Sequence, residues 1–196
     1  MVFAAVRPES SDNIDMMREN REDASALEIG GTNNWNPLRA TVTNADNGFM
    51  EELSTGPQHR WEALYTHASP TGVSWYQRVP MTSIELIEEL DIRRNAAIVD
   101  VGGGASTLVD ALLARDYSNV SVLDISRSAL AAAQDRLQED NQVQWIAEDL
   151  LEWKPRSRYD LWHDRAVLHF MVDAQARNRY LHVLREAVRW EPSIHF

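Results

Sequence analysis

An apolar strand that ends in three consecutive glycines constrains this chain more than any other feature. Ala97-Ile98-Val99-Asp100-Val101 runs into Gly102-Gly103-Gly104, and Ala105-Ser106-Thr107-Leu108-Val109 then reads as the start of a helix. The run from Ala96 to Val101 is apolar except at Asp100, as a strand covered on both faces of a parallel sheet requires. Gly102 and Gly104 matter because a side chain at either would hold a ligand away from the backbone or strain the turn. The helix expected from Ser106 to Arg115 would point free amide hydrogens and the positive end of its dipole toward a carboxylate or phosphate. A second strand, Val120 to Leu123, leads into Asp124, twenty-two residues after Gly102. In a doubly wound sheet the ends of adjacent strands lie side by side, so the two oxygens of Asp124 suit the hydroxyls of a ribose. Capping of the next helix is its competing role. These parts together describe a site for an adenosine-bearing cofactor.

The rest of the chain supplies the alternation of strands and helices that such a turn needs. Ser126 is placed to cap a helix running to about Gln138, Val143 to Ala147 is a third strand, and Tyr159 to His163 a fourth. A helix from Asp173 to about Val188 follows. Ahead of the glycines, His59 to Tyr65 reads as a short helix with Trp61 and Leu64. Thr82 or Ser83 is the expected cap of another, whose stripe Ile84, Ile87, Leu90 is apolar while Glu85 and Glu88 face water. The alternation argues a parallel sheet with helices on both faces. Residues 1–57, polar and rich in turn-forming asparagine and glycine, are expected to be a disordered segment, and residues 58–196 the folded domain.

Composition narrows the chemistry. A formal charge of -11 with a single lysine, Lys154, leaves no basic face for a phosphate backbone, which argues against nucleic acid as a partner. The absence of cysteine removes disulfides, thiolate metal sites and a cysteine nucleophile, and no His/Asp/Glu cluster has metal-ligand spacing. No apolar run approaches membrane-spanning length, and the acidic start resembles neither a secretory signal nor a transit peptide, so the expected location is the cytoplasm.

Asp149, in Ala147-Glu148-Asp149-Leu150, follows the third strand as Asp124 follows the second, and is placed to accept from an adenine amino group with Leu150 over the ring. A solvated loop is the alternative. Asp100, Asp124 and Asp149 thus stand at or just beyond the carboxyl ends of three successive strands. A dinucleotide fingerprint asks for glycine three positions after Gly104, where this chain has Thr107. S-adenosylmethionine, with ribose and adenine but no pyrophosphate, fits better than NAD.

Three stretches then carry a resemblance: Trp61-Glu62-Ala63-Leu64-Tyr65 with Ser74-Trp75-Tyr76-Gln77, Val99 through Ser106, and Leu161-Trp162-His163-Asp164-Arg165-Ala166-Val167-Leu168-His169-Phe170. From about Trp61 to Val188 the chain resembles the class I S-adenosylmethionine-dependent methyltransferases, small proteins of one methyltransferase domain in particular. The resemblance implies a Rossmann-like three-layer α/β/α fold with a mostly parallel sheet. It also implies that Gly102 and Gly104 hold the methionine portion of the cofactor, Asp124 the ribose, and Asp149 with Leu150 the adenine. The implied activity is methyl transfer to a small-molecule or protein acceptor. A non-catalytic cofactor-binding subunit and an NAD-binding Rossmann protein are the alternatives.

Asp164 and His169 are the candidate catalytic residues, each able to orient a nucleophile or accept its proton, against a purely structural role for both. Trp75 with Tyr76 is a candidate lid that would stack on the cofactor or its sulfonium, against plain packing on the sheet. By analogy the strand order is third, second, first, fourth. The family core continues with a fifth strand, a helix and a hairpin that this sequence does not include. The outer edge of the fourth strand is therefore expected to be open, inviting self-association or a partner chain.

Overall fold

The structure, a computed structural model, describes residues 3–6, 56–67, 77–138 and 142–189. The strands are β1 (Phe3–Val6), β2 (Ile98–Val101), β3 (Val120–Asp124), β4 (Val143–Ala147) and β5 (Leu161–Asp164). They form one sheet in the order β1-β5-β2-β3-β4. The helices are α1 (Pro57–His67), α2 (Met81–Glu89), α3 (Leu108–Leu113), α4 (Arg127–Leu137) and α5 (Ala174–Ala187), and a 3-10 turn spans Val167–Phe170. From β2 to β5 every pairing is parallel.

Alternation along β2 and β5 sorts two cores. Ile98, Val120, Val122, Val143 and Leu161 pack with Ile84 and Ile87 of α2, Leu108 and Leu112 of α3 and Leu130 of α4. Val99, Val101, Leu123, Ile146 and Trp162 turn the other way, onto Tyr180, Val183, Leu184 and Ala187 of α5 with Trp153 and Tyr159. A sheet buried on both faces is why its strands read as near-continuous apolar runs. The result is the three-layer α/β/α arrangement, with the strand order expected for the four parallel strands.

The local cap signals hold at two helices. Ser126 accepts from Ala129 N at 3.1 Å and opens α4, and Asp173 accepts from Ala176 N at 2.8 Å and opens α5. At α2 the expectation fails. Pro80 occupies the cap position without a side-chain bond, and Thr82 and Ser83 lie inside the first turn. The crossover helix α3 is shorter than read, six residues from Leu108, because Arg115 and Asp116 leave the helix and Asp116 takes φ 65°. Tyr159 lies outside β5 and makes only a parallel bridge to Val188.

The outer edge of the fourth parallel strand is not open. β1 lies antiparallel along β5, with Phe3 opposite Asp164, Ala4 opposite His163, Ala5 opposite Trp162 and Val6 opposite Leu161. Four residues inside the segment expected to be disordered thus supply backbone partners to an edge that would otherwise present unpaired amides. The rest of residues 1–55 lies outside the described residues.

Candidate cofactor site

The glycine turn is held by contact on three sides. Gly102 (φ 67°) and Gly104 (φ 39°) occupy the left-handed region that disfavours any side chain. A β-carbon on Gly102 would clash with Val167 of the 3-10 turn, one on Gly103 would stand 2.5 Å from the Asp100 Oδ2, and one on Gly104 2.7 Å from the Asp124 Oδ2. Gly102 N donates to Leu123 O at 2.7 Å, stitching the turn to the end of β3. Arg136 of α4 holds the far side, donating to the Ala105 and Ser106 carbonyls at 3.3 and 2.7 Å and to both oxygens of Asp110. What the turn lacks is a long helix behind it. With α3 beginning at Leu108 and ending at Leu113, the dipole contribution expected from a helix over Ser106–Arg115 is small, and what the turn offers a ligand is its own backbone.

Asp124 closes β3 beside that turn. Its Oδ1 accepts from Ser126 N at 2.8 Å, while Ser126, not Asp124, caps α4. Burial pushes the Asp124 carboxyl up to about 7, and the charges of Asp100 and Glu62 add to the effect against opposing backbone hydrogen bonds. A carboxylate short of solvent suits ligand hydroxyls as donors. Asp149 is half-buried, its Oδ1 accepting from Leu151 N at 2.9 Å in a tight turn after β4. Leu150 is buried in the α5-side core, so its side chain is already packed against protein.

Asp100 and His163 face each other across β2 and β5, both buried, with Nδ1 2.7 Å from Oδ1. Asp164 is next on β5, and every contact of its carboxylate is internal. Oδ1 accepts from Ala166 N and Val167 N at 2.8 and 2.6 Å, and Oδ2 from Leu168 N at 3.0 Å and Tyr180 Oη at 2.7 Å. Burial raises its pKa despite those bonds. Asp164 thus holds the 3-10 turn, and with it Val167, against Gly102. This geometry gives it a cap's role, not that of a free proton acceptor. His169 stands exposed on the same turn, its ring edge-on to Phe170 at 5.9 Å.

Two residues of α1 to which the sequence assigns no site role link the segments after β5 and β3. Trp61 meets Phe170 edge-on at 5.3 Å beyond β5. Its neighbour Glu62 accepts from Ser126 Oγ at 2.9 Å and from Ser128 Oγ at 2.5 Å at the start of α4, beyond β3. β2 lies between β5 and β3, so α1 contacts the segments that follow the strands on either side of it. Hydrogen bonds from Ser128 and Ser126 hold the Glu62 carboxyl below its usual range against the opposing, and largest single, influence of burial. Only the fold shows the partners of Glu62, which lie 64 and 66 residues on. Gln77 is tied to both neighbouring loops, its carbonyl accepting from Thr107 Oγ1 at 2.9 Å and its Oε1 from Arg165 at 2.5 Å. Trp75 and Tyr76 lie outside the described residues.

A cavity of about 320 Å³ lies elsewhere, along β4 and the crossover that follows it, lined by Arg127, Trp145, Trp153, Arg156 and Tyr159 among others. It includes none of the glycines, Asp124 or Asp149. Among the described residues no group of three or more His, Asp or Glu is placed to hold a metal, and no helix is long and apolar enough to cross a membrane.

Comparison with known proteins gives this geometry its context. A family profile described as a methyltransferase domain matches residues 99–190. The malonyl-[acyl-carrier protein] O-methyltransferase 1 of Ilyobacter polytropus is 24% identical over 119 residues, covering 58% of this chain and 44% of that protein. The chain thus spans less than half the length of that curated relative. Among solved structures, the Haemonchus contortus phosphoethanolamine N-methyltransferase 1 with phosphoethanolamine and S-adenosylhomocysteine superposes with a TM-score of 0.54 at 15% identity, over 66% of this chain and 28% of that one. A structure described as conversion of a disulfide bond into a thioacetal group during echinomycin biosynthesis gives 0.53 at 22%, over 67% and 56%. The DhpI-SAM-HEP complex gives 0.50 at 20%, over 74% and 64%.

Proposed function

The described residues have the class I S-adenosylmethionine-dependent methyltransferase fold, and from that premise we propose that the chain binds S-adenosylmethionine at the glycine turn and passes its methyl group to a small-molecule or protein acceptor. The observation that carries this reading is the packing of Asp124 against Gly104. It brings a poorly solvated carboxylate to the side of a turn whose surface is bare backbone, which fits a nucleoside joined to an amino-acid end. Gly102 to Gly104 would face the methionine portion with Asp100 beneath them, Asp124 the ribose hydroxyls, and Asp149 the adenine. When bound, the cofactor supplies a sulfonium-activated methyl group.

The chain's own part is to bind, orient and exclude water. Tyr180, through Asp164, fixes the 3-10 turn against Gly102, and α1 spans the opening from Phe170 to Ser128. His169, exposed on that turn, is the candidate to take a proton from a bound acceptor. Asp164 serves as its scaffold.

The test is transfer of a labelled methyl group from S-adenosylmethionine to acceptors bearing carboxylate, amine and thiol nucleophiles, with a malonyl thioester and phosphoethanolamine among them. The reading expects turnover on at least one acceptor class, lost in Asp124→Ala and lowered in His169→Ala. Stoichiometric cofactor binding with no turnover on any acceptor would favour a non-catalytic cofactor-binding protein.

A further inference from the structure

Resting on the cofactor reading above, we propose that His163 is a positioning residue for the amino-acid end of the cofactor: through Nδ1 it fixes the Asp100 carboxylate beneath the glycine turn. Asp100 and His163 are directly opposite in the parallel register of β2 and β5, and the contact is 2.7 Å between Nδ1 and Oδ1. An ionised carboxylate only accepts, so Nδ1 carries the hydrogen. The other carboxylate oxygen, Oδ2, lies 2.5 Å from where a Gly103 β-carbon would be. One oxygen is held by the imidazole and the other is presented at the turn. Both side chains are almost wholly buried, so bulk solvent does not orient the carboxylate.

The second nitrogen separates this role from a general structural one. Nε2 of His163 is buried and has no hydrogen-bond partner among the described residues, so within them the imidazole acts through Nδ1 alone. A side chain that offers a donor at the Nδ1 position and nothing at Nε2 should then do as well as histidine. Asparagine is that side chain, whereas glutamine places its amide farther out and leucine offers no donor. The Ala4 backbone opposite His163 on β1 supports the strand that carries it from the far side.

The experiment titrates the full chain and its His163→Asn, His163→Gln and His163→Leu variants calorimetrically with two ligands. S-adenosylhomocysteine has the amino-acid end, and methylthioadenosine lacks it. Thermal melts monitor folding, and nitrogen-15 histidine spectra of the ligand-free protein report which ring nitrogen carries the hydrogen. The expected result is a protonated Nδ1, wild-type affinity in His163→Asn although its smaller side chain lowers the melting temperature, and a tenfold or greater loss for S-adenosylhomocysteine in His163→Gln and His163→Leu with less than a twofold change for methylthioadenosine. Unchanged S-adenosylhomocysteine affinity in a folded His163→Leu or His163→Gln, or equal losses for both ligands, would overturn the positioning role. A loss of affinity in a folded His163→Asn would overturn it too. Wild-type protein that binds neither ligand would instead remove the cofactor reading, and this inference with it.

Discussion

Gly104 and Asp124 are packed so closely that a β-carbon on the glycine would stand 2.7 Å from the carboxylate Oδ2. The turn and the end of β3 therefore form one surface. Gly104→Ala adds that β-carbon at φ 39°, where an L side chain is strained, and displaces Asp124. A destabilisation of about 1–3 kcal/mol is expected, read as a lower melting temperature, together with at least a tenfold loss of S-adenosylhomocysteine affinity. Wild-type affinity in Gly104→Ala would show that the ligand does not use this surface.

The raised pKa of Asp124, about 7 against an ordinary 3.8, has a consequence for stability. Between about pH 4 and 7 the folded, ligand-free chain holds a proton that the unfolded chain has released, so this group's contribution favours folding at low pH and is lost as pH rises through 7. Asp124→Asn removes the half-buried charge. The ligand-free variant should melt a few degrees above wild type at pH 8 and close to it at pH 5. Cofactor affinity of the wild type should fall from pH 8 to pH 6, as the carboxylate that accepts the ribose hydroxyls is protonated. A variant less stable than wild type at pH 8 would mean that the charge is better solvated than its position implies.

Tyr180→Phe tests the scaffold under the 3-10 turn. The phenol donates to Asp164 at 2.7 Å and accepts from Trp162 Nε1 at 3.0 Å, all within the core. Burial first, and then the charge and hydrogen bond of Asp164, raise the Tyr180 pKa, so the hydroxyl stays protonated as a donor. Removing it strands a buried indole N–H and strips one bond from a buried carboxylate, at a cost of about 1–3 kcal/mol. Hydrogen exchange at the amides of Val167 and Leu168 should quicken. Unchanged protection there would show that the three backbone bonds hold Asp164 without the tyrosine.

How much of this was legible in the sequence depends on how local each feature is. Ser126 and Asp173 cap their helices through bonds to residues three positions on, so the chain order carries the signal, and the strands β3 and β4 follow from short apolar runs. The Asp100–His163 pair spans 63 residues and exists only in the register of β2 and β5. The sequence leaves the role of Asp164 open between catalytic and structural because three of its four donors are main-chain amides, which no residue type announces, and the fourth, Tyr180, is sixteen residues on. Phe3–Val6 is a four-residue run without periodicity, and its place on β5 comes from backbone pairing across the whole chain. Glu62 is likewise hidden, since its partners Ser126 and Ser128 lie on another helix.

Glu62 anchors α1, and Glu62→Gln should loosen it. The substitution keeps the shape but removes the charge that receives both serine hydroxyls and the Ser128 amide, at an expected cost of about 1–2 kcal/mol. Exchange protection across Pro57–His67 should drop while that of β2 and β3 stays. Unaltered protection of α1 would leave Trp61 and Phe170 as a sufficient anchor.

Calorimetric titration of the full chain and of Asp124→Ala with S-adenosylhomocysteine, and separately with NAD, tests the central claim most directly. The account predicts one S-adenosylhomocysteine per chain, a loss of about 1.5–3 kcal/mol in Asp124→Ala from its charge-assisted hydrogen bonds, and no binding of NAD. Binding of NAD alone, or S-adenosylhomocysteine affinity indifferent to Asp124, would contradict it.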